Sequence, residues 1–486
     1  MHRFRNAALL AAALAAPAVQ AMYLNPDGLG QALIYPYYTV KPVDSNVYNT
    51  YISIVNHTSD AKVLRVRFRE SLNGREVGNY NLYLGPRDAW AGAITPSVAG
   101  APPAAGLLTI DNSCTNPAFT PPAGGSALTG FAFSSASYTG TNSDGMGDTM
   151  ERTREGYVEV IEMATLTGAS AAQATPGANG VPPDCAALRG GGVLSLGPPT
   201  GGVSGTLTLI NVASGLDFTV NAIAIADLST QGFYRTYSDA YPDFNSAEVN
   251  GVGNFAANGK AYRTTWNSGV EALNAILMRS TVDNEFILDN TTQSAADFVV
   301  TLPTKRFHVL VPGQGTGPFT NTVLAGSRSL NFTLEYRSRE GLGGIIVPAC
   351  GFTCPPSNSE ANLQLPFAST VVGITRGATA TGAAGTTLAL GANGWRVTLP
   401  TTAENGSVML GFVAGGFSSP PTISFPAQTT RLSDGQVLNE NLVMEGLPAV
   451  GFAVRTLRNG TLVCAGGGCQ GNYGGAYPHT SRHVFR

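Results

Sequence analysis

Hydrophobic and polar residues alternate one for one along many short segments of this chain. In 62–70, Leu64, Val66 and Phe68 fall on one side and Arg65, Arg67 and Arg69 on the other. In 79–84, Tyr80, Leu82 and Leu84 alternate with Asn79, Asn81 and Tyr83. In 330–337, Leu330, Phe332, Leu334 and Tyr336 alternate with Asn331, Thr333, Glu335 and Arg337. A period of two sends successive side chains to opposite faces of a strand, so these patterns predict half-buried antiparallel strands. Further runs predict strands at 51–56, 157–163, 207–212, 218–226, 296–302, 306–311, 395–399 and 408–413. Many short strands separated by Gly, Pro and Asn predict a mainly β protein of two or three β-sandwich-like domains.

One segment has a helical period. Ser268 is followed three residues later by Glu271, the form of a capping box, and Val270, Leu273, Ile276 and Leu277 then recur on one face. This predicts a single short amphipathic helix at 269–279, lying across a sheet with its apolar face in the core. Stretches rich in Ala, Gly and Pro at 99–105, 121–125 and 167–183 read as loops. Weak boundaries at 190–205 and 348–359 divide the chain into three parts. These are an N-terminal β domain at 22–200 with a long cysteine-bracketed excursion, a middle β domain at 201–350 carrying the helix, and a C-terminal β region at 351–486. No internal repeat is evident.

The first 21 residues have a basic start (His2, Arg3, Arg5), an Ala/Leu-rich apolar run and a small-x-small site at Val19-Gln20-Ala21. That is the pattern of a removable secretory signal, with an apolar run too short to span a bilayer. The mature chain is expected to begin at Met22 and to work in the periplasm, at the cell surface or outside the cell, with no transmembrane segment. The net charge of −3 provides no basic field to hold phosphates, which argues against a nucleic-acid partner. Charged residues make up only 12%, about half the usual share, and Gly alone contributes 59 positions, as suits an exported β protein with many turns.

Six cysteines follow the signal: Cys114, Cys185, Cys350, Cys354, Cys464 and Cys469. An even number in an exported chain reads as disulfides. Proximity pairs Cys350 with Cys354 and Cys464 with Cys469, leaving Cys114 with Cys185. Zinc fits less well, since the spacings are loose and no His stands where a ligand would be needed.

Signatures of catalysis are missing from the local sequence. There is no H-E-x-x-H, no nucleophile elbow and no phosphate-binding loop. The glycines at 466–471 fit a dinucleotide spacing but have no strand-to-helix context. His57 and His308 have no nucleophile nearby in sequence and read as structural. No cofactor is expected. Three groups remain as candidate sites. Arg65, Arg67 and Arg69 form a basic stripe that suits phosphate or carboxylate groups of a surface polysaccharide, though a solvated outer face with Glu70, Glu76 and Asp88 nearby to pair is the plainer reading. Tyr35, Tyr37 and Tyr38 offer rings for stacking on sugars, or else fill the end of a core. Asn142, Asp144, Asp148 and Glu151 bring oxygen ligands to a glycine-containing loop. That suits calcium, although Asp with Gly is also ordinary turn chemistry.

Several segments together resemble a family of exported bacterial β-rich proteins without an assigned activity. They include Gly30 to Thr39 (GQALIYPYYT), Val63 to Glu70 (VLRVRFRE), Asn81 to Trp90 (NLYLGPRDAW) and Glu155 to Met163 (EGYVEVIEM). Leu302 to Phe307 (LPTKRF), Gly446 to Phe452 (GLPAVGF) and the closing NYGG at 472–475 with His479 complete the set. Phe298 stands where that pattern has Trp, and Ser338 where it has an acidic residue. The resemblance spans nearly the whole mature chain. It implies an exported β-rich protein and carries no active-site residue.

Together these features point to a non-enzymatic envelope or cell-surface protein, acting as a structural component or as a binder of an envelope glycan or protein. The alternative is a secreted enzyme acting on a polysaccharide, with carboxylates such as Glu159 and Glu162 as acid and base. Those two stand three apart on a strand and so alternate to opposite faces, which weakens the pair. A membrane barrel fits poorly with the charged strand faces and the Gly/Pro excursions.

Overall fold

The computed structural model describes residues 20–43, 46–96, 104–121, 128–190, 192–309, 318–319, 332–346, 365–377, 388, 394–412, 421–425, 429–438, 442–464 and 467–485. The expected signal at 1–21 therefore lies almost wholly outside the described residues. So do most of the expected loops at 99–105 and 121–125, the boundary at 348–359, and the Cys350–Cys354 pair. Side chains of Cys464 and Cys469 also lie outside them.

The chain is mainly β with few helices. The first sheet orders its strands Tyr23–Leu24, Ile223–Ala226, Ala32–Thr39, Glu155–Leu166, Ala61–Glu70, Glu76–Leu84 and Cys114–Asn116, with Leu196–Gly197 joining Glu155–Leu166. The second orders Thr129–Ala132, Ala105–Thr109, Ala89–Pro96, Asn49–Asn56, Val203–Asn211 and Leu216–Asn221. Leu64, Val66, Phe68, Tyr80 and Leu82 of the first sheet share a core with Ile52, Ile54, Trp90, Leu207 and Leu209 of the second. Strand Val203–Asn211 shows strict alternation, buried then half-buried, because one face of the second sheet meets solvent. The first sheet differs. Ala61–Glu70 and Glu155–Leu166 are buried at every position, so its outer face is covered too.

Two five-stranded sheets pack together in the C-terminal half, beside a four-stranded sheet of Val252–Ala257, Lys260–Thr265, Thr429–Arg431 and Val437–Leu438 and smaller pairings. One orders Gly343–Ile346, Thr333–Ser338, Asn405–Gly411, Thr281–Ile287 and Thr480–Arg482. The other orders Gly394–Leu399, Ser369–Arg376, Ala295–Thr301, Val450–Cys464 and Gly467–Pro478. Gly394–Leu399 runs parallel to its neighbour, an exception to the antiparallel expectation. This last sheet is buried on both faces. Phe298, Val300, Val372 and Ile374 face the partner sheet, while Val299, Val371, Phe452 and Val454 join the N-terminal core. That is why 295–301 and 369–374 are buried at every position and mostly small or apolar rather than alternating, with Asp297 the one charged residue among them.

Strand pairing runs across both expected domain boundaries. Val203–Asn211, Leu216–Asn221 and Ile223–Ala226 complete the N-terminal sheets beyond position 200. Strands on either side of position 350 pair directly, Thr333–Ser338 with Asn405–Gly411 and Ala295–Thr301 with Ser369–Arg376. Gly/Pro-rich stretches mark turns, and a turn inside a sandwich has the same composition as a linker between two.

The expected helix is present as Gly269–Leu277, with Ser268 Oγ accepting from the Glu271 amide at 3.3 Å. Glu271 Oε2 accepts from the amide of Asn267, one residue before the cap, at 3.0 Å. Val270, Leu273, Ile276 and Leu277 are buried against Phe255, Tyr262 and Met444. Two other readings are corrected. The 167–183 stretch contains helix Gly168–Ala174, since its Ala-rich run favours helix over coil. The expected strand at 306–311 begins as helix Lys305–Val309, because an apolar run this short carries too few periods to separate the two states.

The expected disulfide Cys114–Cys185 is formed. It ties the short helix Cys185–Arg189 to the edge strand Cys114–Asn116. Leu188 and Ala174 then pack with Val63, Tyr83 and Met163, covering one end of the first sheet's outer face.

Candidate functional site, an arginine-clamped surface strap

Arg65, Arg67 and Arg69 sit where alternation requires, on the side of Ala61–Glu70 opposite Leu64, Val66 and Phe68. The expected solvated stripe is corrected, however, since they are only 0, 3 and 5% exposed. A long irregular segment, 227–251, leaves strand Ile223–Ala226 and crosses above them before strand Val252–Ala257 begins. Phe233 and Phe244 are buried and anchor its ends, while 235–241 are exposed.

A strap lying on a sheet face has carbonyls with no ladder to join, and inward-facing ones need donors. The guanidinium groups supply them. Arg65 Nη2 donates to the carbonyls of Arg235 (3.2 Å) and Thr236, and its Nη1 to those of Tyr237 (3.3 Å) and Asp239 (3.3 Å). Arg67 Nη2 donates to Asp239 (3.2 Å) and Ala240 (2.7 Å). Asn81 Nδ2 adds a bond to the Arg235 carbonyl at 3.0 Å. Two rigid forks of donors thereby hold five carbonyls of one loop, which the flexible point charge of lysine does less well.

The cations are balanced from several directions. Arg67 pairs with Glu76, and Arg69 Nε donates to Glu159 Oε2 at 3.0 Å. Arg306, from helix Lys305–Val309, comes within 3.5 Å of Glu159 and 3.4 Å of Asp243 in the strap. Burial alone would raise the Glu159 carboxyl, but Arg69 and Arg306 outweigh it and hold the group below the usual carboxylate range. Burial, and then Arg67, pull Arg65 down to about 9, so it remains charged at neutral pH.

The other sequence-derived candidates have structural partners. Asp144 accepts both Arg152 Nη1 and Nη2 at 2.8 Å and Asn73 Nδ2 at 2.8 Å. Asp148 accepts from Ser143 at 3.2 Å, Glu151 pairs with Arg154 at 3.1 Å, and Asn142 donates to the Ala136 carbonyl at 2.9 Å. Among the described residues, no group of three or more His, Cys, Asp or Glu side chains is placed to hold a metal ion, and the four expected calcium ligands are each engaged with a protein partner. Arginine supplies the positive charge in that loop. Tyr35, Tyr37 and Tyr38 are fully buried, which corrects the reading of them as a stacking surface. Their hydroxyls donate to Ser53 O (2.6 Å), Glu155 (2.5 Å) and Thr153 O (3.1 Å). A register shift opposite Tyr157 lets adjacent Tyr37 and Tyr38 share one core.

Glu159 pairs through Oε2 with Arg69 and Arg306, while its buried Oε1 has no hydrogen-bond partner among the described residues. Glu162 accepts Lys62 Nζ at 2.7 Å and the amides of Thr200 and Gly201 at 3.0 and 2.7 Å. His57 meets Ser204 Oγ at 2.7 Å, and His308 meets Asn274 at 2.9 Å.

Arg306, Asp243 and the strap were absent from the reading of the stripe. Their only sequence signal is indirect, in that a triple-arginine stripe needs partners from elsewhere in the chain if it is buried. The assembled unit is a stiff platform that presents Tyr237 (38% exposed), Ser238 and Tyr241 (52% exposed) outward. No family model, curated protein or solved structure matches this chain.

Proposed function

We propose that this protein is an exported, non-enzymatic component of the cell envelope or cell surface that works by binding, with 235–241 as its recognition surface. The observation that carries this reading is the contrast within one loop. Its carbonyls are held from below by buried Arg65 and Arg67, and its tyrosines stand exposed above. A loop ordered in advance loses little entropy on binding, and tyrosine provides rigid amphipathic contact area. The signal-like start and the resemblance to exported β-rich proteins support the location. The burial of Glu159 and Glu162 in ion pairs speaks against the glycosidase alternative, which needs one protonatable and one accessible carboxyl.

The test incubates exported protein with extracted envelope and capsular glycans and scores both saturable retention and released reducing ends. Retention without release is expected, weakened about tenfold or more when Tyr237 and Tyr241 are both changed to Ala. Released reducing ends, or retention indifferent to the double substitution, would overturn the reading. Cell fractionation that finds the chain in the cytosol with its first 21 residues intact would overturn the location.

A further inference from the structure

We infer that the open face of the second sheet is a pairing surface for a second copy of this chain. Strands Ala89–Pro96, Asn49–Asn56, Val203–Asn211 and Leu216–Asn221 send Trp90, Ile52, Leu207 and Phe218 into the core and their alternate side chains towards solvent. Tyr51, 47% exposed, stands in the middle of this face, opposite Ala93 on one neighbouring strand and Thr208 on the other. Among the described residues at these outward positions, Asp217 is the only charged side chain, and it stands on the edge strand.

The hydroxyls of the face bond to one another across neighbouring strands. Ser53 Oγ meets Thr206 Oγ1 at 2.8 Å, Thr208 Oγ1 meets Thr219 Oγ1 at 2.8 Å, and Ser204 Oγ meets His57 Nε2 at 2.7 Å. Each of these side chains therefore keeps a partner when water leaves, which removes the main cost of covering a polar surface. Alanines, threonine methyls and the Tyr51 ring remain to make contact.

Charge selects the occupant. A face with no cation and an uncharged centre has nothing to pair with a charged partner, whose own groups would lose water without compensation. A glycan would meet hydroxyls already engaged with each other. A second copy of the same face brings no like charges together at its centre, and two-fold symmetry makes such a patch its own complement. Size agrees. With strands ~4.8 Å apart and ~3.3 Å per residue, the six-stranded sheet projects on the order of 500 Å² over positions 89–95. Two copies cover twice that, near the threshold of about 1,000 Å² for a specific interface, so the pairing is weak and concentration-dependent. It leaves the first sheet, on the far side of each sandwich, free to present 235–241 outward on both sides of the dimer. Two loops on one particle hold an envelope glycan more tightly than one, a consequence that rests on the binding role proposed for the loop, as the pairing itself does not.

The test is sedimentation equilibrium of the exported chain up to about 100 µM, where a monomer–dimer equilibrium with a dissociation constant on the order of 10 µM is expected. Thr208→Arg and Ala91→Arg each put a cation on the face and should weaken association about tenfold or more, with an unchanged far-UV circular dichroism spectrum. Val193→Arg, at a fully exposed position outside the second sheet, should leave association as it is. A chain still monomeric at about 100 µM, even one whose open face retains a neutral glycan, would overturn the pairing. So would a dimer indifferent to both substitutions on the face, or one weakened equally by Val193→Arg. The Tyr237→Ala/Tyr241→Ala chain should pair normally, so failure here and failure of the strap reading are separable.

Discussion

Arg69 Nε donates to Glu159 Oε2 at 3.0 Å between neighbouring strands of the first sheet, with both side chains buried. Arg306 reaches the same carboxylate from a helix that follows a strand of the C-terminal sandwich, and reaches Asp243 of the strap as well. One buried carboxylate thus helps to hold together the N-terminal sheet, the C-terminal half and the surface loop.

Glu159→Gln should therefore lower stability by about 3–5 kcal/mol, because it leaves buried arginines without their counter-charge. Glu151→Gln, which removes a largely exposed partner of Arg154, should cost less than about 1 kcal/mol. Denaturant midpoints of the two variants, followed by tryptophan fluorescence, check the difference. Equal losses would mean that the Glu159 pair carries no special weight.

Stability should fall on the acid side in two stages. Burial holds the His308 imidazole down to about 4 against an ordinary value of 6.5. Its contribution is fully present above 6.5 and is lost as pH falls from there through about 4, because the unfolded chain takes up the proton first. Glu159 is also held below its ordinary value, so its share is present above the ordinary carboxyl range and disappears only at more acidic pH. In denaturant midpoints measured from neutral pH downward, His308→Gln should shrink the first stage, which His479 and His483 share because burial holds them down to about 4 as well, and should spare the second. A first stage unchanged by that substitution would assign it to other groups.

Reduction of Cys114–Cys185 should destabilise the N-terminal sandwich by about 4 kcal/mol, since the bridge closes a loop spanning 71 positions. Paired Cys114→Ala/Cys185→Ala substitution should reproduce the effect without reductant. Proteolysis should then cut first within 168–190, where two short helices depend on that tether. An unchanged melting temperature would show that packing of Leu188 and Ala174 alone holds them.

Ser268→Ala should cost about 1 kcal/mol by exposing the first-turn amides of helix Gly269–Leu277, and Ser268→Asp should restore most of it. Thermal melts of the three chains check the order. Equal loss in both variants would mean that the hydroxyl acts elsewhere than at the cap.

The relationships that could be read from the chain are local ones. Alternation at 64–69 placed Leu64, Val66 and Phe68 opposite the three arginines, because neighbouring side chains on any strand must part to opposite faces. Ser268 and Glu271 marked a helix start, because a cap acts over three residues. Cysteine count and proximity led to Cys114–Cys185. What lay above the arginine face was decided by a segment about 170 positions away, and no periodicity carries that distance. The same alternation describes a wet face and a face roofed by a strap. Only tertiary packing distinguishes them, by bringing Thr236 and Ala240 carbonyls, Glu159 and Arg306 to side chains that otherwise would have met water.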